Sequence, residues 1–483
     1  MILHSGTTGK ELYVINPLTG GRALPVHNPG TGAVLGEMPV ATEDEARAAV
    51  RTAQDARTAM AATASHERAR LLAKVADGIE ARAEELARDL AAENGKPIRQ
   101  TREEIAAAVR IFRGFAGEAT RIFGRQIPLD AVPGLENHLA VTVREPIGVV
   151  AAIVPFNYPV ELWAHKAAAA LAAGNAVIVK PPEKCPLTLM EIGRIIEAAG
   201  FPEAAHQIVP GGPELARFLA TADGVQMISL TGSTAAGKAI AELAAGTLKR
   251  THLELGGNDA LIVCADADVE RAAEAVVLGR LARGNGQICC AVKRVYVEDG
   301  VYDAFADALE AQARKLVVGD QLDEATDVGP LITEPAAVAV DQAIRAAVND
   351  GARVVVGGPR DGAFVPPTVL VDVAPHAEAV AEEIFGPVAP LLRVADAMEA
   401  VRLANESAYG LQAAIFTRDI GRAFSVARRL QVGGVVINGS TALRAENLPF
   451  GGVKLTGGAR EGLHDTLLDM TEQKTIIVMD GLA

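Results

Sequence analysis

From residue 148 onward, short apolar runs alternate with helix-length segments, and this alternation limits the available folds more than any other feature. GVVAAIV (148–154) precedes ELWAHKAAAALAAG, AVIVK (176–180) precedes a helix from Pro186 to about Ala199, and VQMISL (225–230) leads into TGST (231–234) and another helix. HLEL (252–255) and ALIVC (260–264) follow, then a helix from Asp268. Apolar runs of this length with no polar alternation read as strands buried on both faces. Strands that alternate with helices build a parallel sheet covered on both sides. The second half repeats the style with VYV (295–297), a helix to Leu316, VVV (354–356), AAIF (413–416), a helix and GVVIN (434–438), enough for a second α/β domain. The first third is helical: TEDE (42–45) is a capping box, and Asn94-Gly95-Lys96-Pro97 is a stop signal. Two pieces fit neither sheet. Residues 123–146 read as a hairpin, and KTIIVMDG (474–481) as a lone strand of the kind that pairs with another element or another subunit.

A chain of 483 residues implies two or three domains, and 49% hydrophobic with 22% charged residues is ordinary globular composition. The net charge of −14 argues against nucleic-acid or anionic-membrane partners. No apolar stretch reaches the roughly 18 residues of a membrane span, and the N-terminus lacks the apolar core of a secretory signal. The cysteines Cys185, Cys264, Cys289 and Cys290 are too few to staple such a chain, so free thiols and a cytoplasmic location are expected.

Ligands of open α/β sheets sit outside the C-terminal ends of the strands. Asn157, Lys180, Glu183, Ser233 and Glu254 all fall at such ends. No G-x-G-x-x-G follows the first strand. TGST at a helix start is either a plain Ser/Thr N-cap or a phosphate site. Glu254 lies in an apolar strand, where a carboxylate is either salt-bridged or used. Asn157 is a turn amide, and the adjacent Cys289 and Cys290 are either small core residues or a nucleophile and its neighbour. Taken together, a thiol, a carboxylate and an amide suit one chemistry. A thiolate attacks a carbonyl, an amide N–H steadies the oxyanion, and a carboxylate activates water to clear the thioester. A cysteine hydrolase needs the same groups plus a His beside the Cys, and none stands near this motif.

PFNYP (155–159), GNAVIVKPPE (174–183), LTGSTAAG (230–237), LELGG (253–257), GQICCA (286–291), EEIFGPV (382–388) and PFGGVKLTGGARE (449–461) occur in an order that closely resembles the NAD(P)-dependent aldehyde dehydrogenase superfamily. The subgroup most similar in look acts on lactaldehyde, glyceraldehyde phosphate and semialdehydes. The resemblance implies a nucleophile at Cys289, a general base at Glu254 and an oxyanion amide at Asn157. It implies cofactor contacts at Ile153, Val154, Pro155, Lys180, Glu183, Thr231, Gly232, Ser233, Leu255, Gly256, Glu383 and Phe385, with Lys180 and Glu183 on the adenosine ribose. A carboxylate there accepts hydrogen bonds from a diol and repels a 2′-phosphate, so NAD is expected over NADP. The resemblance divides the chain into a NAD-binding domain (1–122 and 147–255), a catalytic domain (256–440), an oligomerisation arm (123–146 and 465–483) that implies dimers or tetramers, and a substrate-funnel and anchor loop (441–464). No metal is implied.

Two stretches depart from the family pattern: LARGNGQ lacks the usual aromatic residue, and 209–225 is short. The resemblance implies that the basic residues His165, Arg283 and Arg444 stand at positions lining the family's substrate funnel, so a small polar or anionic aldehyde is expected. The alternatives are a CoA-acylating relative, against which Glu254 argues, and a broad-range enzyme for apolar or aromatic aldehydes.

Overall fold

The computed structural model describes residues 22–482 and, before them, the paired strands Leu3–His4 and Glu11–Leu12. Most of the segment read for a secretory leader lies outside the described residues. Among those described, no helix is long and apolar enough to cross a membrane.

Five wholly parallel strands form the first sheet: β1 (Val149–Ile153), β2 (Ala176–Lys180), β3 (His206–Ile208), β4 (Met227–Thr231) and β5 (Arg250–Glu254), in the order β5-β4-β1-β2-β3. Every residue of β1, β2 and β4 is buried, as the unbroken apolar runs require. The chain winds outward from β1 to β3, then crosses back to lay β4 on the other side of β1. That reversal opens a crevice at the C-terminal ends of β1 and β4. The ends are level: Ile153 is in register with Lys180 and Leu230, and Thr231 with Glu254.

The second sheet contains β6 (Asp259–Val263), β7 (Val292–Glu298), β8 (Arg353–Val356), β9 (Thr368–Val371), β10 (Val388–Val394), β11 (Gln412–Phe416) and β12 (Gly434–Ile437), in the order β8-β9-β10-β7-β6-β11-β12. Only the β8–β9 pair is antiparallel. Three strands, β3, β9 and β10, are not among those expected from the sequence. β3 is only three residues long and includes His206 and Gln207, and β10 contains Pro390, which ordinarily argues against an inner strand.

The capping box forms at Thr42 and Glu45, and Gly95 ends the helix Ala83–Asn94 with φ 91°. The helices Glu43–Ala62, Ser65–Ala81, Ala83–Asn94 and Ile98–Glu118 pack with the first sheet. The hairpin and the terminal strand combine. Thr471–Val478 runs antiparallel along the whole of Leu139–Pro146, and Gln126–Ile127 flanks the other edge. This arm leaves Phe123, Ile477 and Met479 exposed. The helix Leu463–Asp469, whose residues 465–469 were expected in the arm, packs instead on the helix Pro159–Ala173 of the first layer.

A Cβ on Gly95 would stand 2.6 Å from the Pro330 carbonyl oxygen, at a φ that strains any other residue. Gly95→Ala is expected to cost about 2 kcal/mol of stability, read as a lower urea midpoint. It should also lower kcat, because the Gly95 carbonyl accepts a hydrogen bond from Asn285 in the loop that carries the cysteines.

Candidate active site

The cofactor candidates line the level edge of the first sheet. The Val154 N–H donates to the Lys180 carbonyl at 3.1 Å, the Gly232 N–H to the Glu254 carbonyl at 3.0 Å and the Leu255 N–H to the Thr456 carbonyl at 2.9 Å. These bonds stitch the strand ends and the PFGG segment into one rim. Ser233 caps the helix Thr234–Ala245, its Oγ accepting from the Ala236 N–H at 3.2 Å, and it is exposed. The Thr231 hydroxyl beside it is buried with no protein partner, and a Cβ on Gly232 would meet nothing closer than 3.5 Å. A roomy, donor-rich helix start of this kind suits a pyrophosphate. The Lys180 ammonium meets the Glu183 carboxylate at 3.2 Å on the next strand end. Glu383 and Phe385 close the crevice from the second domain. The Glu383 carboxylate accepts from the Gly257 N–H at 3.1 Å, and the Phe385 ring stands edge-on to Phe156 at 5.9 Å. A Cβ on Gly256 would lie 2.4 Å from Glu383, which explains the glycines of LELGG. These residues fit a dinucleotide laid across the switch point.

The thiols sit on a strained loop. Gly284, Asn285 and Gly286 all have positive φ, of 58°, 54° and 73°. For Asn285 this conformation is sustained by its side chain. Its amide N–H donates at 2.9 Å to the Gly95 and Pro330 carbonyls, and its oxygen accepts from the Gly329 N–H. The turn brings Cys289 part-way to the surface and leaves Cys290 buried among Tyr158, Leu162, Ile288, Ala291, Leu411 and Phe450. The hydrogen bond between the two thiols, together with burial, pushes the Cys289 thiol well above its ordinary value, and the same bond, helped by the charges of Arg283 and Arg444, brings the Cys290 thiol down to about 7. The more acidic proton is thus on the buried Cys290, while Cys289 is the more exposed thiol of the pair. Asn157 is held between Phe156 and Tyr158, with its backbone carbonyl accepting from the buried Lys96 ammonium at 2.7 Å.

Glu254 is 4% exposed, and its Oε1 has no protein hydrogen bond. Burial first, then the charge of Glu461, raises its pKa well above the ordinary carboxylate value. A Cβ on Gly451 would reach within 2.9 Å of Glu254 Oε1, so glycine there keeps space beside the carboxylate. Burial alone would raise Glu461 too, but Lys166 and Arg444 outweigh it and hold Glu461 well below the ordinary value.

A cavity of about 550 Å³ reaches Tyr158 and is lined by Glu161, His165, Arg283 and Arg444. Its charges are mostly paired. Arg99 meets Asp327 at 2.7 Å, Arg110 meets Glu446 at 2.6 Å, and Glu104 pairs with Lys96. Of the three basic residues expected to meet a substrate anion, only one keeps a free charge. Arg444 is committed to Glu461 and, at 3.3 Å, to Glu161. His165 is 1% exposed, and burial, with the charge of Arg444, lowers its pKa to about 3, so it is neutral. Arg283 donates to the Ala442 carbonyl at 2.8 Å and has no carboxylate in ion-pair range among the described residues.

A crevice that fits a dinucleotide, a thiol pair with no histidine beside it and a buried carboxylate without a hydrogen bond at one oxygen suit an oxidoreductase that works on a carbonyl. The aldehyde dehydrogenase family model matches residues 17–476. The 3-sulfolactaldehyde dehydrogenase of Priestia aryabhattai is 39% identical over 98% of this chain and 96% of its own length. The NADP(+) succinate-semialdehyde dehydrogenase of Escherichia coli is 38% identical over 95% of each chain. A solved NADP-dependent enzyme of E. coli superposes with a TM-score of 0.93 at 37% identity, covering 99% of this chain and 98% of that one. The chain belongs to the aldehyde dehydrogenase family. It is an oxidoreductase that converts an aldehyde to a carboxylic acid with NAD or NADP.

Sequence reasoning missed Lys293, Glu461, Lys166, Glu161 and Asn285. Only Asn285, between two glycines, carried a local signal, since Asn tolerates a left-handed conformation. The others reveal themselves only through partners far along the chain.

Glu254 accepts a proton only when charged, so deacylation should weaken as pH falls through its raised pKa. In kcat–pH profiles the acid limb is expected well above the ordinary glutamate value and absent in Glu254→Gln. Glu461→Gln removes the anion that raises Glu254, so it should move that limb to lower pH. A limb that stays put would mean that another group sets it.

Proposed function

We propose that this enzyme oxidises a small aldehyde carrying an anionic group, with Cys289 as nucleophile, Asn157 as oxyanion donor and Glu254 as general base. The observation that carries the substrate class is the Arg283 guanidinium, which has no carboxylate within ion-pair distance among the described residues, in a cavity whose other charges are mostly paired. The named substrates of the two relatives, a sulfonated and a carboxylated aldehyde, share that feature.

The Cys289 thiolate adds to the aldehyde carbon, and the carbonyl electrons move onto oxygen. The Asn157 amide and the Cys289 backbone N–H then donate to that oxyanion. A nicotinamide cofactor, held by the residues of the crevice, would supply the acceptor for hydride from the thiohemiacetal carbon, which would leave a thioester on Cys289. Water attacks the thioester carbon while Glu254 takes its proton, the C–S bond breaks, and the acid leaves. Glu183, paired with Lys180, would accept from the ribose diol of a bound cofactor and would favour NAD over NADP. The exposed apolar residues of the arm support a dimer or tetramer, and the four free thiols support residence in a reducing cytoplasm.

Cys289→Ala is expected to abolish turnover, while Cys290→Ala retains most of it. The reverse pattern would transfer the nucleophile to Cys290. For the substrate class, kcat/KM for succinate semialdehyde and glyceraldehyde 3-phosphate is compared with that for hexanal and benzaldehyde, using NAD and NADP. The anionic aldehydes should win, and Arg283→Gln should lower their kcat/KM by about 10- to 100-fold, the scale of a lost charged hydrogen bond. A clear win for hexanal or benzaldehyde sinks the proposal.

A further inference from the structure

Glu161 and His165 lie one turn apart on the helix Pro159–Ala173, immediately after the oxyanion loop, and both line the cavity. Neither position is explained by anion binding. Glu161 places a carboxylate, 9% exposed, in a cavity that should welcome a negative group. Part of its charge is spent on Arg444 at 3.3 Å, and a carboxylate has further acceptor positions. His165 is buried, and both ring nitrogens lack any protein partner. As a neutral imidazole it offers one N–H donor and one lone pair. A hydroxyl group has the matching set, one donor and two acceptor sites. A carboxylate and a neutral imidazole side by side can therefore receive its proton and donate to its oxygen.

We propose that Glu161 and His165 form a hydroxyl-reading subsite, so that the substrate is a short hydroxyaldehyde whose far end carries the anion held by Arg283. This rests on the anionic-aldehyde reading and adds a second recognised group. Three points are then read: the carbonyl at Cys289, the hydroxyl at Glu161 and His165, and the anion at Arg283. Three-point attachment of a carbon that bears a hydroxyl distinguishes its two hands. Arg444 is the counter-ion that positions Glu161.

The test compares substrates that differ only in the hydroxyl: glyceraldehyde 3-phosphate, as separate enantiomers, against 3-phosphopropanal, and 3-sulfolactaldehyde against 3-sulfopropanal. The sulfonate and phosphate pairs also show which anion Arg283 prefers. Wild-type enzyme is expected to favour the hydroxylated member of each pair by about 30-fold in kcat/KM, within the range of a charged hydrogen bond, and one enantiomer over the other by about 10-fold. In Glu161→Gln and in His165→Phe the hydroxyl ratio should fall toward one. A purely structural disturbance would lower both members alike and leave the ratio standing. Should either variant fail to fold, the wild-type ratio and enantiomer preference still decide. A wild-type ratio near one, with the anionic aldehydes still far better than hexanal, overturns the hydroxyl subsite alone. Hexanal equal to the anionic aldehydes overturns the substrate class beneath it.

Discussion

One buried ammonium joins the parts of the active site. Lys293, 1% exposed on β7, donates to the Gly257 carbonyl at 2.8 Å, to the Glu383 carboxylate at 2.7 Å and to the carbonyl of Cys289. Gly257 follows the end of the first sheet, Cys289 lies on the loop before β7, and Glu383 comes from the segment before β10. An ammonium has three protons, and here all three are used, so the charge is fully solvated by protein. The small residues around it follow. A Cβ on Gly257 would lie 2.5 Å from the Cys289 carbonyl oxygen, so the close approach that Lys293 demands excludes any side chain there.

A second buried network sets the electrostatics. Glu461, 1% exposed, takes Lys166 at 3.1 Å and Arg444, and Arg444 reaches on to Glu161. Breaking such a network by removing one member typically costs about 3–5 kcal/mol, because a buried charge is left alone. The network also works at a distance. Burial first, and then the charge of Glu461, lifts the pKa of Glu254. One arginine thus links the surroundings of Glu254 to the wall of the cavity.

Much of this architecture is legible in the chain itself. Strands β1, β2, β6 and β11 announce themselves as apolar runs, because a strand covered on both faces has few polar positions to hide. Glu254 and Asn157 are visible because they fall at strand ends, and Cys289 because it stands in a GQICCA motif, but each also has an ordinary structural reading. The arm is legible as two misfit pieces, but not as partners, since 139–146 and 471–478 are separated by most of the chain. The strand containing Pro390 is hidden, because its neighbours rather than its composition make it a strand.

The sequence by itself determined the α/β class and the family and supplied the candidate reacting groups, because periodicity and short motifs are local properties of the chain. Only the tertiary structure decided which charges are free. Arg283, His165 and Arg444 read alike as basic residues. Folding spends Arg444 on two carboxylates, strips His165 of its proton by burial and leaves Arg283 without a carboxylate. The reason is physical: a side chain's charge and availability depend on solvent and on partners hundreds of residues away, and neither is written in its neighbours along the chain.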